Sequence, residues 1–270
     1  MSVPLLLIAA TGNRFALLDA FAGPPPVDPG ALAMRLGEQD ELAVDGLLQL
    51  LPPSEGGDCR MVVHNVDGSR PEACGNGLRC IARAAIEAGH VVGPVVRVET
   101  DAGLRAVEIL SRGADVTLAR ASLGRPQIVD LSVRLDVHEG VVEAAVVKLG
   151  NPHCVLFVPD TTTAPVRSVG PQLEHHSRFP DRVNVEFVDA RRDGLVVRVW
   201  ERGVGETRSC GTGVSAAAVA AIVLGRATSP VRVRTAGGSL VVRWDGEGHE
   251  VLLEGEVSAP ERSLDPALLS

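Results

Sequence analysis

Two cysteines, each followed by a Gly-x-Gly segment, are the residues of this sequence best suited to chemistry. They lie in Cys74-Gly75-Asn76-Gly77 and in Cys210-Gly211-Thr212-Gly213. Each segment leads into an alanine-rich stretch that ends in glycine, Leu78 to Gly89 and Val214 to Gly225, and this composition predicts a helix. A cysteine at a helix start meets unpaired N–H groups and the positive end of the helix dipole. The position therefore predicts a stabilised thiolate and a lowered thiol pKa.

Two such helix starts facing each other across a cleft would place two sulfurs on opposite sides of one bound amino-acid carbon. One thiolate could remove the α-proton while the opposite thiol delivers a proton to the other face, which inverts the stereochemistry. The backbone N–H groups of Gly75, Asn76, Gly211 and Thr212 could stabilise the carbanion, and the glycines admit a substrate carboxylate. The pattern predicts an epimerisation that needs no metal and no cofactor. The alternative is that each cysteine is a small buried hydrophobe, as most free cysteines are.

The elements that would position these cysteines come from an internal repeat. Gly12-Asn13 and Gly150-Asn151 are 138 residues apart, the two cysteines are 136 apart, and Val96 and Val231, which open similar runs, are 135 apart. The near-constant offset predicts two homologous lobes. The first covers residues 1–117 and the second 118–262, and the tail 263–270 could join the N-terminal lobe.

Alternating or β-branched runs predict strands within each lobe. These runs are Arg60 to His64, Val95 to Val98, Val183 to Val188, Leu195 to Trp200, and Ser239 to Trp244. An alanine-rich helix with little charge must be buried nearly all round. The predicted fold class is therefore α+β, with two pseudo-symmetric lobes, each a mainly antiparallel sheet wrapped around a central helix. Pro24-Pro25-Pro26 and Pro52 to Asp58 are predicted loops.

Composition excludes several function classes. The chain has 26 basic and 34 acidic residues, a net charge of −8, which disfavours a nucleic-acid partner. No run reaches the roughly 18 apolar residues of a membrane helix. Five cysteines, an odd number in a chain of 270 residues, indicate reduced thiols and a cytoplasmic location.

Cofactor sites find little support in the sequence. Lys148 is the only lysine, so a pyridoxal phosphate site would depend on one residue in a predicted strand. The glycine pairs do not complete a G-x-G-x-x-G dinucleotide fingerprint. No C-x2-C spacing suggests zinc.

Further polar residues are weaker candidates. His153 could hydrogen-bond a catalytic thiol or be a satisfied core histidine. Glu201 and Asn65 each stand nine residues before one of the two cysteines, which suggests matched positions lining one cleft. A surface ion pair would explain Glu201 and Arg202 equally well. The asparagines at strand ends or turns are common there for local backbone reasons; they are Asn13, Asn65, Asn151 and Asn184.

These residues give the chain a full-length resemblance to the diaminopimelate epimerase family. The segment Val199-Trp200-Glu201-Arg202-Gly203-Val204-Gly205-Glu206-Thr207, which runs into Cys210, is the most specific. The other matching segments are Gly12-Asn13, Asn65 to Ser69, Glu72 to Gly77 with Arg79-Cys80, Gly150 to His153, and Arg182 to Phe187.

The resemblance implies interconversion of LL- and meso-2,6-diaminopimelate without a cofactor, in lysine and peptidoglycan precursor biosynthesis. It implies that Cys74 and Cys210 are the acid/base residues and that His153 and Glu201 support the thiols. Asn13, Asn76 and the amides of Gly75, Gly211 and Thr212 are expected at the reacting end of the substrate. The distal end is expected at Asn65, Asn151, Asn184 and Arg202, with Glu201 nearby. A small amino-acid substrate is the expected partner, and a homodimer is a further expectation.

The chain departs from the usual family pattern at three places. Arg14 stands where an acidic residue is usual, Glu41 to Val44 replaces a glycine-rich turn, and Val183 replaces a threonine. Three alternatives remain open at this point: a proline or hydroxyproline racemase of the same superfamily, a thiol hydrolase or acyltransferase with a single essential cysteine, and a non-catalytic binding homologue.

Overall fold

The computed structural model describes residues 5–24, 27–71 and 74–262. Pro25 and Pro26 of the predicted proline-rich loop, Glu72 and Ala73 of the first cysteine motif, and the tail 263–270 lie outside the described residues. The chain forms two compact units. Unit 1 contains the residues up to Ser122 and the segment from Glu254, and unit 2 contains Leu123–Leu253.

The elements of unit 1 alternate strands with two helices. They are β1 Leu5–Ala10, β2 Asn13–Asp19, α1 Pro29–Gly37, β3 Gly46–Leu51, β4 Cys59–Asn65, α2 Gly75–Glu87, β5 Val95–Thr100, β6 Gly103–Arg112 and β7 Val116–Ser122.

Unit 2 has a corresponding set. Its elements are β8 Gln127–Val137, β9 Gly140–Leu149, β10 Asn151–Phe157, α3 Val166–Glu174, β11 Asn184–Arg191, β12 Gly194–Glu201, β13 Gly205–Thr207, α4 Gly211–Val223, β14 Val231–Thr235 and β15 Gly238–Arg243. The last strands are β16 Leu252–Ser258 and β17 Glu261–Arg262.

The last strands place the end of the described chain in unit 1. β16 and β17 pair with β1 through backbone hydrogen bonds, and β16 also pairs with β7. The sequence put residues up to 262 in the second lobe and a boundary at 117 and 118, whereas the first stretch of unit 1 runs to the end of β7 at Ser122. Strand pairing is a non-local property, which explains why the repeat offset did not reveal it.

The two units share one layout of strands. The order β1-β2-α1-β3-β4-α2-β5-β6 in unit 1 corresponds to β9-β10-α3-β11-β12-α4-β14-β15 in unit 2. The pairs β2–β3 and β10–β11 are both parallel, aligning Phe15 with Gly46 and His153 with Asn184. The pairs β4–β5 and β12–β14 are also parallel, and the other strand pairs with a described register are antiparallel. The predicted α+β class with mainly antiparallel sheets is confirmed.

Each unit surrounds one buried helix with strands, as predicted. In α2 the residues from Gly75 to Ala85 are buried, and the helix contacts β1 and β3 to β7. In α4 every residue from Gly211 to Ala221 except Thr212 is buried, and the helix contacts β9 to β12, β14 and β15. Both helices begin immediately after the cysteines, three residues earlier than predicted.

A second helix in each unit covers the other face of the sheet, which the sequence prediction did not include. α1 packs on β3 and β4, and it begins with Pro29 after Asp28, whose carboxylate accepts the N–H of Ala31 at 2.8 Å. α3 packs on β8 and on β11 to β13. Both helices have nine residues, a length at which the apolar stripe is too short to stand out from loop sequence.

Strand alternation separates the two faces of each sheet. Ala16 and Leu18 of β2 belong to the core under α1. Asn13 is an odd number of residues away from them, so its side chain lies on the opposite face of β2, towards α2. Arg14 is two residues before Ala16, so its side chain lies on the α1 face of β2. Its guanidinium donates to the carbonyl of Leu42 at 3.0 Å. The positive charge of Arg14 is therefore on the face of β2 opposite to Asn13.

No helix within residues 5–24, 27–71 and 74–262 has both the length and the apolar character needed to cross a membrane.

Ala43, in the segment that replaces a glycine-rich turn, has a backbone φ of 46°. A left-handed conformation costs a residue with a Cβ about 1–2 kcal/mol, and glycine loses about 0.5–1 kcal/mol more chain entropy on folding. We expect Ala43→Gly to raise the free energy of unfolding by about 0.5–1 kcal/mol, measured by urea denaturation. Ala33→Gly, in the buried face of α1, is the matched control and should lower it. Destabilisation by both changes would contradict the prediction.

Glu99 is a buried carboxylate that holds the loop after β3. It is 2% exposed and accepts hydrogen bonds from the backbone of Ser54, Glu55 and Gly57 and from the Ser54 hydroxyl, at 2.6–2.9 Å. Burial alone would raise the pKa of Glu99, but these hydrogen bonds outweigh it and lower the pKa to about 2.

This shift predicts a specific acid sensitivity. Because the folded pKa lies below the unfolded value of about 4.3, the contribution of Glu99 is present above that pH and is lost as pH falls towards 2. The melting temperature of Glu99→Gln should therefore decline less between pH 5 and pH 2 than that of the unmodified protein. Glu55→Gln, at an exposed side chain, is the control. Parallel decline in Glu99→Gln and the unmodified protein would show that Glu99 does not carry the effect.

Candidate active site

The first candidate thiol is the N-cap residue of α2. Cys74 has extended backbone angles, and its Sγ accepts the N–H of Gly77 at 3.3 Å. Its side chain is partly exposed. A Cβ on Gly77 would lie 3.0 Å from Leu48 and 3.3 Å from the sulfur of Cys74, so glycine allows this close packing. A partly exposed sulfur at a helix start is available to a substrate.

A chain of polar side chains ties this helix start to the β1–β2 turn. Asn76 donates its amide to Asn13 Oδ1 at 2.5 Å and accepts from Arg79 at 2.6 Å. Arg79 also donates to the Thr11 hydroxyl at 3.2 Å. Asn13 and Asn76, both predicted from the sequence, are thus in contact, and Thr11 and Arg79 are additional residues that the sequence reading did not assign.

Asn65, at the end of β4, is engaged in its own turn. Its side-chain amide donates to the hydroxyl of Ser69 at 2.9 Å, and its backbone N–H donates to the Ser69 carbonyl at 2.8 Å. The structure therefore fixes the turn after β4 through Asn65.

The second candidate thiol, Cys210, is the N-cap residue of α4 and is only 8% exposed. Its sulfur lies 3.5 Å from the hydroxyl of Thr212. Burial, followed by repulsion from Glu201, raises the pKa of Cys210 well above that of an ordinary thiol. The lowered pKa predicted from the helix start is therefore wrong for Cys210, because desolvation and the nearby carboxylates outweigh the hydrogen bonds with Thr212 and with the Gly213 backbone.

Glu201, at the end of β12, is coupled to Cys210. The Thr207 hydroxyl donates to its Oε1 at 2.5 Å. Burial raises the pKa of Glu201, while hydrogen bonds with Thr207 and with Cys210 oppose the shift. A carboxyl group of this kind can hold or exchange a proton next to the thiol.

His153 and Glu186 form a fully buried pair on the α4 side of the sheet. His153 Nδ1 lies 2.7 Å from Glu186 Oε1, and Nε2 lies 3.0 Å from Asn151 Oδ1. A Cβ on Gly213 would lie 2.6 Å from Glu186 Oε1 and 3.4 Å from the sulfur of Cys210, so the carboxylate and the thiol adjoin the same helix turn. Both ring nitrogens of His153 are therefore engaged by Glu186 and Asn151 rather than by a thiol.

Glu186 is a residue that the sequence analysis missed. The signal was an acidic residue in the predicted strand Val183 to Val188, whose other residues are apolar except for Asn184. Val185 and Phe187 belong to the core under α3, so strand alternation turns Glu186 towards α4. Its second oxygen is buried without a hydrogen bond.

Asn184 and Arg202, predicted at the distal end of the substrate, are also brought together. Asn184 Oδ1 accepts the backbone N–H of Arg202 at 2.8 Å, and the guanidinium donates to the Asp181 carbonyl at 3.0 Å. Glu174 of α3 fixes the same segment by accepting from the Trp200 indole and the Gly203 N–H, at 2.7 and 2.8 Å. Arg202 itself is exposed.

The two helix starts differ in charge although the units share one layout. At the position of Glu186 in unit 2, unit 1 has Leu48, and at the position of Glu201 it has Asn65. Conversely, the buried Arg79 of α2 corresponds to Ser215 in α4. A buried cation therefore accompanies Cys74, whereas two carboxyl groups accompany Cys210.

All five cysteines lie in the described part of the chain, and each is a thiol rather than half of a disulfide. Cys59, Cys80 and Cys154 are completely buried. Burial raises the pKa of Cys59 to about 12 and raises those of Cys80 and Cys154 further. These three thiols behave as apolar core residues.

Comparison with known proteins assigns the family. The sequence model described as diaminopimelate epimerase matches residues 8–129 and 145–259. The chain belongs to the diaminopimelate epimerase family. The diaminopimelate epimerase of Desulforudis audaxviator is 43% identical over 258 residues, covering 90% of this chain and 92% of that protein. The diaminopimelate epimerase of Moorella thermoacetica is 41% identical with the same coverage.

Solved structures confirm the fold of this family member. A predicted epimerase from Pseudomonas aeruginosa superposes with a TM-score of 0.75 at 17% identity, covering 98% of this chain and 100% of that chain. A hydroxyproline epimerase from Agrobacterium vitis superposes with a TM-score of 0.73 at 18% identity, covering 97% and 90% of the two chains. At these identities the likeness concerns the fold alone.

The packing of Glu186 against the start of α4 leads to a stability prediction. Gly213→Ala places a methyl group 2.6 Å from Glu186 Oε1, so the buried carboxylate must shift. We expect a loss of about 1–3 kcal/mol in the free energy of unfolding, measured by guanidinium denaturation. Ser215→Ala, at another buried position of α4, adds no volume and is the control; it should keep the stability of the parent. A Gly213→Ala protein as stable as the parent would contradict the close packing.

Proposed function

We propose that this chain interconverts LL- and meso-2,6-diaminopimelate, an isomerase reaction in lysine and peptidoglycan precursor biosynthesis. The observation that carries the proposal is the presence of two equivalent N-cap thiols, Cys74 and Cys210, in one chain of the diaminopimelate epimerase family. Relatives named diaminopimelate epimerase at about 40% identity over 90% of the chain support the substrate.

In this proposal the two thiols act on the same α-carbon. Cys74, beside the cation of Arg79, is the thiolate that removes the α-proton. Cys210, whose raised pKa keeps it protonated, donates its proton to the opposite face. One C–H bond breaks and another forms, and the thiol and thiolate exchange roles, so the reverse reaction uses the same groups. Glu201 and the His153–Glu186 pair hold Cys210 in its protonated form.

The carbanion requires donors that are already in place. The unpaired N–H groups at the starts of α2 and α4 belong to Gly75, Asn76, Gly211 and Thr212, and they can bind the substrate carboxylate as its negative charge grows. Asn13 is positioned by Asn76 for the same end of the substrate. This stabilisation needs no electron sink, so we propose a reaction without a cofactor.

We propose that Asn65, Asn151, Asn184 and Arg202 bind the distal amino-acid end of the substrate. The ordered Asn184–Arg202 contact and the anchoring of that segment by Glu174 support this assignment. A proline-type substrate has no second amino-acid end, so these residues favour diaminopimelate over that alternative. We further propose a cytoplasmic homodimer; for the location, the support is a set of five reduced cysteines.

Deuterium exchange tests this function. The purified protein is incubated with LL-diaminopimelate in deuterated water, with a chelator and without pyridoxal phosphate, and α-deuterium uptake and meso product are measured. Cys74→Ala and Cys210→Ala should each lower the epimerisation rate by more than about 1000-fold, because each removes an essential acid or base. Cys154→Ala, at a buried thiol outside the site, is the control and should keep the rate.

The alternatives give different results in the same experiment. Exchange with proline or hydroxyproline but not with diaminopimelate would indicate the racemase class. A covalent adduct and dependence on one cysteine would indicate a hydrolase or acyltransferase. Absence of exchange and product with the unmodified protein would overturn the proposed epimerisation.

A further inference from the structure

Arg79 is a buried cation whose donors are only partly used. Its side chain is 0% exposed. Nη2 donates to Asn76 and Thr11, whereas Nε and Nη1 are buried without a hydrogen-bond partner. Among the residues that the structure describes, no carboxylate forms an ion pair with it. Burial lowers the pKa of Arg79 to about 10, opposed by attraction to Cys80 and Cys74, so the guanidinium stays charged at neutral pH.

The fold itself gives no reason for this charge. An uncompensated buried charge is strongly destabilising. The corresponding position in α4 is Ser215, which is equally buried in an equivalent helix. The same architecture therefore forms without an arginine at this position.

Arg83, one turn further along α2, shows how a structural arginine is accommodated. It is 2% exposed, and its Nε pairs with Glu87 at 2.7 Å. Its other nitrogens donate to backbone carbonyls of Ala114, Asp115 and Val257, at 2.6–3.2 Å. Arg83 thus joins α2 to the β6–β7 turn and to β16, and it has a counter-charge.

Thr11 is held in an unfavourable conformation beside Arg79. It occupies the β1–β2 turn with a φ of 38°, which is rare for a β-branched residue, and Gly12 follows with a φ of 86°. Its hydroxyl accepts from Arg79. Retained backbone strain of this kind is commonly associated with functional sites.

We propose that Arg79 is a positioning residue for the epimerisation, which holds Asn76 and Asn13 in place and supplies the counter-charge for the anion formed at the start of α2. This proposal rests on the proposed function. Asn76 follows Cys74 by two residues in the first turn of α2, so the guanidinium acts through the Asn76–Asn13 pair and through its charge on the Cys74 thiolate and the substrate carboxylate. Nε and Nη1 of Arg79 have no hydrogen-bond partner in the described part of the chain, which lowers the stability of the fold. A charge kept at this cost fits a role towards the anion that forms during the reaction.

The test compares Arg79→Met with Arg83→Met, since both remove a buried guanidinium from the same helix. For Arg79→Met we expect kcat to fall about 10- to 100-fold, the worth of a hydrogen bond to a charged group, with KM changed less than threefold. Its melting temperature should stay close to that of the parent, because a buried unpaired charge is removed along with two hydrogen bonds. For Arg83→Met we expect a clear loss of melting temperature with kcat preserved below the transition.

A second pair of variants probes the contact to the turn. Thr11→Val keeps the shape and removes the hydroxyl, and kcat should fall about threefold or more. Thr11→Ser restores the hydroxyl and should bring kcat back to within twofold of the parent. These changes do not touch the proposed thiols.

The outcomes separate this inference from the function on which it rests. If the unmodified protein does not epimerise diaminopimelate, the proposed function fails first. If it does, and Arg79→Met keeps the parent kcat, the positioning role is wrong. A loss of melting temperature in Arg79→Met equal to that in Arg83→Met, with kcat preserved in the folded protein, would show that Arg79 is only structural.

Discussion

The proposed chemistry depends on the start of a buried helix, where the first N–H groups have no partner within the helix. In each unit a cysteine occupies the N-cap position and a Gly-x-Gly segment forms the first turn. The glycines remove the side chains that would cover these N–H groups, so an anion can approach them. The sheet supports this arrangement by packing around each helix, which fixes the direction of its N-terminal end.

Duplication of this motif gives two thiols of similar geometry but different environment. Cys74 is partly exposed and accompanied by Arg79, whereas Cys210 is buried and accompanied by Glu201 and Glu186. A reaction that removes one proton and adds another requires one base and one acid at the start of each turnover. Unequal electrostatic surroundings are the physical means by which two similar cysteines can be kept in different protonation states.

The three departures from the family pattern lie on the α1 and α3 sides of the sheets, away from the cysteines. Arg14 adjoins Asn13 in sequence, but it points to the α1 side of β2 and bonds the Leu42 carbonyl. The replaced glycine turn leaves Ala43 in a left-handed conformation, while Val44 still packs into the core under α1. Val183 is likewise buried in the core under α3. These residues affect the α1 and α3 faces of the sheets rather than the faces that carry the cysteines.

The sequence by itself determined the internal repeat, the two cysteine motifs, the buried alanine-rich helices and the family, because these features follow from local spacing and composition. Site roles for Asn13, Asn76, His153 and Glu201 were predicted from the resemblance to that family. Only the tertiary structure decided that β16 returns to unit 1 and that α1 and α3 cover the second faces. It also decided that Glu186 lies beside Cys210 at the start of α4, that Arg79 bonds Asn76 at the start of α2, and that the pKa of Cys210 is raised. Strand pairing, burial and the effect of charges on a pKa depend on residues that are far apart in the chain. A local sequence pattern therefore does not predict them.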